Sequence, residues 1–291
     1  MNRALYDLQT EAHFAGKGIR PAASPVALVT GGSTGIGAAC VRQFLAAGWK
    51  IAVAALPGVE IDRLAGDGVL TIAGDLTCAR TREAAVQQTL GRYGRIDVLV
   101  NSIGVGLYAL PTESPVEYLR RILDVNVIAP MAVTQMVIPP MRKQGGGTIV
   151  NISSVAASVS LPWAAAYCAS KSALSSLHDS LRRELRGSPV HLIEVCPGIV
   201  DTNFREHVLG GAPPSAVRAI RRVVSAEQLA VRILRAIQRR SKTVYLPRIG
   251  AIFALAGILA PSVMDWYIGR LLAPERRKAP GAAPIGVKES P

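Results

Sequence analysis

A tyrosine and a lysine stand four residues apart in the stretch Tyr167-Cys-Ala-Ser-Lys171. On a helix this spacing places a phenol and an ammonium on one face, where both can contact the same ligand. A free tyrosine titrates near pH ~10, so proton exchange near neutrality requires roughly 4 kcal/mol of preferential phenolate stabilisation. A nearby ammonium in a partly desolvated cleft could supply much of it, which predicts proton-transfer chemistry. Taken alone, the spacing is more typical of an ordinary pair on a helix surface.

Three glycines, Gly31, Gly35 and Gly37, directly follow an apolar run in the sequence Thr-Gly-Gly-Ser-Thr-Gly-Ile-Gly. At a strand-to-helix turn, such glycines let backbone amides approach a pyrophosphate, and the helix dipole favours its negative charge. The chain has 27 glycines among 291 residues, so an ordinary glycine-rich turn is the alternative. The strand before the turn and the helix after it favour a dinucleotide site.

A later strand ends in two serines, Ser153 and Ser154. Open α/β sheets bind their ligands at the carboxyl edge, so a hydroxyl at the end of this strand could contact a substrate. The sequence therefore indicates a phenol, an ammonium, a hydroxyl and a phosphate-binding turn on one fold.

From the glycine turn through Pro197-Gly-Ile-Val-Asp-Thr, these motifs resemble, in their order, the short-chain dehydrogenase/reductase (SDR) family. The resemblance implies a nicotinamide-dependent oxidoreductase that interconverts a carbonyl and an alcohol. It implies that Tyr167 is the general acid/base and that Lys171 lowers the pKa of Tyr167 and holds the nicotinamide ribose. Ser154, thirteen residues before Tyr167, would hydrogen-bond the substrate oxygen. Asn126, in Asp-Val-Asn-Val, would hold a water for the proton relay.

The resemblance also implies a cofactor-binding set and no metal. Asp75 would lie beside the adenine ring, and Thr202 would contact the carboxamide side of the cofactor. Each motif alone fits a turn cap, a helix-interior polar residue or a simple loop, and only their joint order favours function. The whole set is Gly31, Ser33, Thr34, Gly35, Ile36, Gly37, Asp75, Leu76, Asn101, Gly104, Tyr167, Lys171, Pro197, Gly198, Val200 and Thr202.

Two departures from the family pattern concern the cofactor. The usual Asn-Asn-Ala-Gly is here Asn101-Ser-Ile-Gly104, and the bulkier Ile103 predicts altered packing near the riboses without loss of binding. Where an acid would accept hydrogen bonds from the NAD ribose hydroxyls, the second strand ends in Ala55 and Leu56. Because no acid repels a 2′-phosphate there, NADP(H) is favoured, although no arginine stands in the usual places and NAD(H) stays an alternative.

Apolar runs that alternate with helix-length segments predict one Rossmann-like, doubly wound α/β domain with a parallel sheet of about seven strands. We divide the chain into a polar N-terminal extension (1–24), the catalytic domain (25–247) and an apolar, then basic, C-terminal extension (248–291). Ser225-Ala-Glu-Gln predicts the capped start of another helix, which runs to Arg240, and 210–215 predicts a loop. Six strands are predicted at 26–30, 51–55, 69–73, 96–100, 148–152 and 190–195, and four helices at 38–47, 80–93, 115–142 and 166–186.

The net charge of +13 suggests an anionic partner, but its basic residues are scattered pairs such as Arg120-Arg121, which favour solvated helix faces. No zinc finger or RNA-binding aromatic pattern accompanies them, so we expect no nucleic-acid partner. Four widely spaced cysteines and an N-terminus without an apolar signal core favour reduced thiols and a cytoplasmic location.

The substrate is predicted from the apolar side chains near the end of the chain. Phe204, Val208 and Leu209, the run 249–260, and Trp266-Tyr267 suggest a hydrophobic lipid, steroid, retinoid or long-chain ketone. The run is too short to span a bilayer, and with the basic residues that follow it could rest on a membrane surface, cover the core or form an interface. The resemblance implies a homodimer or homotetramer. A dinucleotide-binding sensor or scaffold without turnover, and a nucleic-acid-binding protein, are the rival functions.

Overall fold

A seven-stranded parallel sheet lies at the centre of the computed structural model, which describes residues 24–66, 68–206, 208–210 and 223–271. The strands are β1 (Val26–Thr30), β2 (Lys50–Ala55), β3 (Leu70–Ala73), β4 (Val98–Asn101), β5 (Gly106–Tyr108), β6 (Gly147–Ile152), β7 (Val190–Pro197), β8 (Val200–Asp201), β9 (Val208–Gly210), β10 (Val224–Ser225) and β11 (Thr243–Leu246). The sheet order is β11-β7-β6-β4-β1-β2-β3, and β10-β8 and β5-β9 form two small additional pairs.

Helices cover both faces of the sheet, because its strands are apolar on both sides. The helices are α1 (Gly35–Ala46), α2 (Val59–Gly66), α3 (Ala79–Tyr93), α4 (Val116–Leu123), α5 (Ala129–Lys143), α6 (Ala165–Glu184), α7 (Ala226–Arg239), α8 (Ile249–Leu259) and α9 (Pro261–Leu271). One apolar core lies under α1 and α7, and a second lies under α3 and α5.

The predicted fold class is confirmed, and each of the six predicted strands lies within two residues of its predicted ends. The seventh strand is β11, which pairs with β7 at one edge. The predicted helix 115–142 is in fact α4 and α5 joined by a π-helical segment, Asp124–Ile128. Helix α2 was not predicted, because Pro57-Gly58 before it is typical of a turn.

The predicted capped start of α7 is confirmed, since the Ser225 hydroxyl oxygen accepts a hydrogen bond from the Gln228 N–H at 3.1 Å. The helix predicted to run to Arg240 ends one residue earlier, at Arg239, because Arg240 adopts a left-handed conformation with φ of 50°. Most of the predicted 210–215 loop, and the N-terminal extension up to residue 23, lie outside the described residues.

The continuous helical stretch Val116–Lys143 is long and apolar enough to cross a membrane by length and composition alone. More than half of its most apolar window is buried inside the fold, as the core helix of a sheet protein also would be. Its apolar residues Val133 and Val137 pack in the core under α5.

The glycine turn sets a tight contact between α1 and the loop before it. A Cβ placed on Gly37 would lie 2.2 Å from the Gly31 carbonyl oxygen. Because this oxygen belongs to the backbone, the clash could be relieved only by moving the chain. Gly91, inside α3, has no neighbouring atom within 4 Å of such a Cβ.

We predict that Gly37→Ala lowers the free energy of unfolding by about 1–3 kcal/mol, because the added methyl overpacks the turn. The matched control Gly91→Ala should raise it by about 0.5–1 kcal/mol, since alanine favours an unobstructed helix interior. Urea unfolding of both variants measures the difference. A Gly37→Ala protein as stable as the wild type would contradict the contact.

Candidate active site

A cleft of about 560 Å³ opens along the carboxyl ends of β1, β2, β3, β4, β6 and β7. Most of the predicted site residues line it: Gly31, Ser33, Thr34, Gly35, Ile36, Asp75, Leu76, Gly104, Ser154, Tyr167, Lys171, Pro197, Gly198, Val200 and Thr202. Three do not line it, namely Gly37, Asn101 and Asn126, and each lies behind the wall of the cleft.

The glycine turn forms one end of the cleft. Gly31 and Gly35 adopt positive φ angles of 66° and 53°, which glycine tolerates and other residues rarely adopt. A Cβ on Gly31 would also lie 2.9 Å from the Ser102 carbonyl oxygen. The side chain of Thr34, the N-cap residue of α1, makes no capping hydrogen bond, so it does not occupy the N–H groups of the first turn. These amides are the donors that a pyrophosphate requires.

The phenol of Tyr167 lies at the other end of the cleft, on the first turn of α6. Ser154 hydrogen-bonds it from the end of β6, and the Ser154 oxygen also accepts from the Ala156 N–H at 3.1 Å. The neighbouring Ser153 turns away, because its hydroxyl pairs with that of Ser175 at 2.8 Å. The thirteen-residue spacing therefore identifies the serine that reaches Tyr167.

Lys171 lies one turn further along α6 and is only 4% exposed. Its Nζ donates to the Ile152 carbonyl oxygen at 2.9 Å and lies 5.8 Å from the centroid of the Tyr167 ring. Burial lowers the pKa of Lys171 to about 8. The cation is therefore held at the floor of the cleft, within one helical turn of the phenol.

In the protein without cofactor, burial has the largest effect on the pKa of Tyr167. Burial raises this pKa, and the hydrogen bond with Ser154 lowers it by less. In the protein alone, Tyr167 is thus a protonated acid at neutral pH. The expectation that Lys171 lowers the pKa of Tyr167 stays a prediction.

Asn126 lies in the π-helical segment and is fully buried. Its Oδ1 accepts from the Val105 N–H at 2.8 Å, and its Nδ2 donates to the Val105 carbonyl oxygen and to the Ser170 hydroxyl, both at 2.9 Å. The side chain fixes the loop after β4 to α6, so any water in a relay would need another acceptor, such as a backbone carbonyl. Its predicted role in the relay stays a prediction.

Asn101 was predicted to contact the cofactor, but the amide of its side chain has hydrogen-bond partners inside the protein. It is 2% exposed, and its Nδ2 lies within hydrogen-bond distance of Thr134 Oγ1 at 3.0 Å and Asn151 Oδ1 at 2.9 Å. The side chain therefore holds the end of β4 in place, and a contact between Asn101 and the cofactor stays a prediction.

Asp75 and Arg121 pair at the end of the cleft where the adenine ring is expected. Arg121 Nη2 donates to Asp75 Oδ2 at 2.8 Å, while Asp75 Oδ1 accepts from the backbone and side chain of Thr77. Partial burial raises the pKa of Asp75, but these hydrogen bonds outweigh it and hold the pKa below its usual range. Sequence reasoning missed Arg121, since the Arg120-Arg121 pair is typical of a solvated helix face.

The substrate end of the cleft is apolar. The Phe204 ring lies 5.9 Å from that of Tyr167, and Leu161, Pro162 and Ile268 complete the lining. Val208 and Leu209, expected near the cleft, lie in β9 behind this wall and pair with β5. Ile268 comes from α9, so the C-terminal segment contributes to the cleft as expected, but through Ile268 and not through the expected Trp266 and Tyr267.

The residues fit a nicotinamide dinucleotide. Gly104 leaves room that a side chain would fill, since a Cβ there would lie 3.6 Å from Lys171 Nζ and 3.4 Å from Asn126 Oδ1. Glycine at this position thus keeps the path open between the phosphate-binding turn and the Tyr167 end. Ile103 also lines the cleft and narrows it beside Gly31. Among the described residues, no group of three His, Cys, Asp or Glu side chains could hold a metal.

We predict that Tyr167 does not ionise at the pH of a free tyrosine, near pH ~10, in the cofactor-free protein. Burial favours the neutral phenol, so deprotonation should occur only at higher pH. The measurement is the near-ultraviolet phenolate absorbance of the wild type minus that of Tyr167→Phe during an alkaline titration. A difference signal that is complete at or below pH ~10 would show that the phenolate is stabilised instead.

Comparisons with known proteins identify the family of the chain. A family model described as short chain dehydrogenase matches residues 25–210. A zebrafish (Danio rerio) protein named dehydrogenase/reductase SDR family member 7B is 29% identical over 245 residues, which cover 79% of each chain. The 2-(R)-hydroxypropyl-CoM dehydrogenase of Xanthobacter autotrophicus is 33% identical over 70% of this chain and 89% of its own.

Solved structures show the same fold. A short-chain dehydrogenase from Streptomyces avermitilis superposes with a TM-score of 0.74 at 25% identity, covering 90% of this chain and all of its own. A short-chain dehydrogenase/reductase from Burkholderia phymatum in complex with NAD gives a TM-score of 0.72 at 24% identity, over 91% of this chain and 98% of its own.

Proposed function

The chain belongs to the short-chain dehydrogenase/reductase family, and on that premise we propose that it interconverts a carbonyl and an alcohol on a hydrophobic substrate with a nicotinamide dinucleotide. The observation that carries the proposal is the placement of Ser154, Tyr167 and Lys171 at one end of a cleft whose other end is a phosphate-binding turn. The apolar lining at the Tyr167 end supports the hydrophobic substrate.

Different parts of the cleft would bind different parts of the cofactor. The amides of the glycine turn and the first turn of α1 would hold the pyrophosphate, and Asp75 with Arg121 would bound the adenine. Lys171 and Tyr167 would hold the nicotinamide ribose. When bound, the nicotinamide supplies or accepts a hydride at the carbonyl carbon.

Tyr167 performs the proton step. In reduction, its O–H donates to the substrate oxygen as the carbonyl becomes an alcohol, and in oxidation its oxygen accepts the alcohol proton. Ser154 donates a hydrogen bond to the same substrate oxygen and stabilises the negative charge that develops there. At neutral pH the phenol is protonated, as an ordinary tyrosine also is, and burial favours this form further, so Tyr167 can donate its proton in reduction.

Cofactor preference depends on the end of β2 and the start of α2. The lack of an acid at Ala55 and Leu56 favours NADP(H). However, the exposed Glu60 carboxylate also lines this end of the cleft, where it opposes a 2′-phosphate. Among the described residues, two cations line the cleft. Arg121 is paired with Asp75, and Lys171 lies at the far end. We therefore propose that both cofactors are used, with a small preference for NADP(H) that Glu60 limits.

A homodimer or homotetramer in a reducing, cytoplasmic setting completes the proposal, with no nucleic acid as partner. The contacting helices α4 and α6 leave Val116, Leu119 and Leu177 exposed, which suits a contact with a second copy. The four cysteines are free thiols, three of them buried, as a reducing setting requires. Protein that binds cofactor but turns over no carbonyl or alcohol would favour the sensor or scaffold instead.

We predict that Tyr167→Phe lowers reduction of hydrophobic ketones by roughly 10²- to 10⁴-fold or more, because the proton donor is lost. Cofactor affinity, measured by fluorescence titration, should stay within about twofold, since the phenol acts mainly in the transition state. The control Tyr118→Phe changes a tyrosine of α4 outside the cleft lining and should leave turnover unchanged. Wild-type turnover by Tyr167→Phe would refute the assignment.

We predict that Glu60→Gln tightens NADPH binding roughly two- to fivefold relative to NADH, because one exposed negative charge near the phosphate is removed. Asp62→Asn removes the same charge from α2 outside the cleft lining and should leave the ratio nearly unchanged. Paired titrations with NADPH and NADH measure the ratio. An equal change in both variants would mean that only net charge matters.

A further inference from the structure

Helices α8 and α9 expose large apolar side chains that no described residue covers. Relative exposure reaches 67% at Ile252, 70% at Ile258, 72% at Leu259 and 64% at Trp266. Soluble monomers rarely expose a contiguous patch of this kind without a partner. We call this the C-terminal apolar surface: Ile249, Ile252, Leu255, Ile258, Leu259 and Val263, with Trp266 and Tyr267 at its edge.

The opposite side of α8 shows that this orientation is fixed. A Cβ on Gly250 would lie 2.8 Å from Val155 Cγ1, and one on Gly257 would lie 3.0 Å from the Ser158 carbonyl oxygen. These glycines seat α8 closely on the segment that follows Ser154. The helix therefore presents its small residues to the protein and its large ones outward.

The two helices are too short and too bent to span a bilayer. Each has 11 residues, and the chain bends by 118° between them at Ala260-Pro261. Eleven residues extend only about 16 Å, whereas the hydrocarbon core is about 30 Å thick. A pair bent in this way suits burial of its apolar side in the plane of the membrane interface.

Charge and aromatic residues favour an anionic lipid surface. Residues 249–271 contain one acid, Asp265, and one base, Arg270. The Arg270 guanidinium lies 5.8 Å from the centroid of the Trp266 ring, and Arg248 precedes α8. The sequence continues with Arg276-Arg277-Lys278, in a chain of net charge +13. Tryptophan, tyrosine and arginine are the residues that settle at the headgroup level of a bilayer.

The same surface is continuous with the active-site cleft. Ile268 of α9 is part of the cleft lining, while Trp266 and Tyr267, its near neighbours on the same helix, are exposed. A molecule dissolved in lipid under α8 and α9 would thus be only one helix away from the Tyr167 end of the cleft.

We propose that the C-terminal apolar surface docks on an anionic phospholipid bilayer, with α8 and α9 in its interface, and that the cleft takes its hydrophobic substrate from that bilayer. The docking stands independently of the proposed function, whereas the delivery of substrate rests on it. A second copy of the chain is the competing occupant, and the test separates the two.

The test measures binding of the full chain to phosphatidylcholine vesicles, with and without phosphatidylserine, by co-sedimentation. The variant Ile258→Glu/Leu259→Glu places two charges on the surface, and the control Val59→Glu/Ile128→Glu places the same charges at exposed positions outside this surface and outside the proposed contact between copies. We expect phosphatidylserine vesicles to bind the wild type at least about tenfold more tightly, with binding weakened by salt. The first variant should lose roughly tenfold or more, and the control should bind like the wild type.

Two further readouts keep the outcomes distinct. Reduction of a water-soluble ketone by Ile258→Glu/Leu259→Glu should equal that of the wild type, which shows intact folding and tests the proposed function separately from docking. No vesicle binding by the wild type, or unchanged binding by this variant, would overturn the proposal. Light scattering tests the competing occupant. If the wild type does not bind vesicles and the variant differs from it in molar mass, the surface holds a second copy and the proposal is overturned.

Discussion

The buried ammonium of Lys171 is the constraint around which the cleft is arranged. A shift of its pKa from the ordinary 10.5 to about 8 corresponds to about 3 kcal/mol that the fold spends on keeping a cation out of water. The carbonyl of Ile152, at the end of β6, receives it, and Gly104 leaves the space in front of it clear. A partner that brings hydroxyl oxygens to this ammonium recovers part of that free energy. Ligand binding and stability are therefore linked through one side chain.

The floor beneath that cation is held by a chain of buried polar side chains. Thr30, Asn101 and Asn151 occupy paired positions on β1, β4 and β6, and hydrogen bonds connect them to His178 on α6. Burial lowers the pKa of His178 to about 4, so it is a neutral ring at physiological pH, and its Nε2 has no hydrogen-bond partner among the described residues. Such a network fixes the relative heights of the strand ends. The glycine turn after β1 and Ser154 after β6 are thus held at fixed positions relative to each other.

Sequence patterns predicted the features that depend on hydrophobic periodicity and on the order of motifs. They did not predict the direction of side chains that could face either solvent or the protein interior. The strands, the glycine turn and the capped start of α7 follow from local signals. Asn101 matches a motif, yet only the register of β4 against β6 shows that it points into the protein. Arg121 belongs to a basic pair that periodicity assigns to solvent, and only the position of Asp75 draws it to the cleft. The rise in the pKa of Tyr167 depends on packing, which no spacing encodes.

The C-terminal segment shows the same limit and what resolves it. An apolar run of a dozen residues fits a core helix, an interface or a membrane surface, because hydropathy does not say which side faces inward. The positions of Gly250 and Gly257 against the segment after Ser154 settle the sidedness, since larger residues there would clash. Ile268 of the same segment also lines the cleft that holds Tyr167. One segment therefore serves two ends: its inner side closes part of the cleft, and its outer side is the one that we propose docks on lipid.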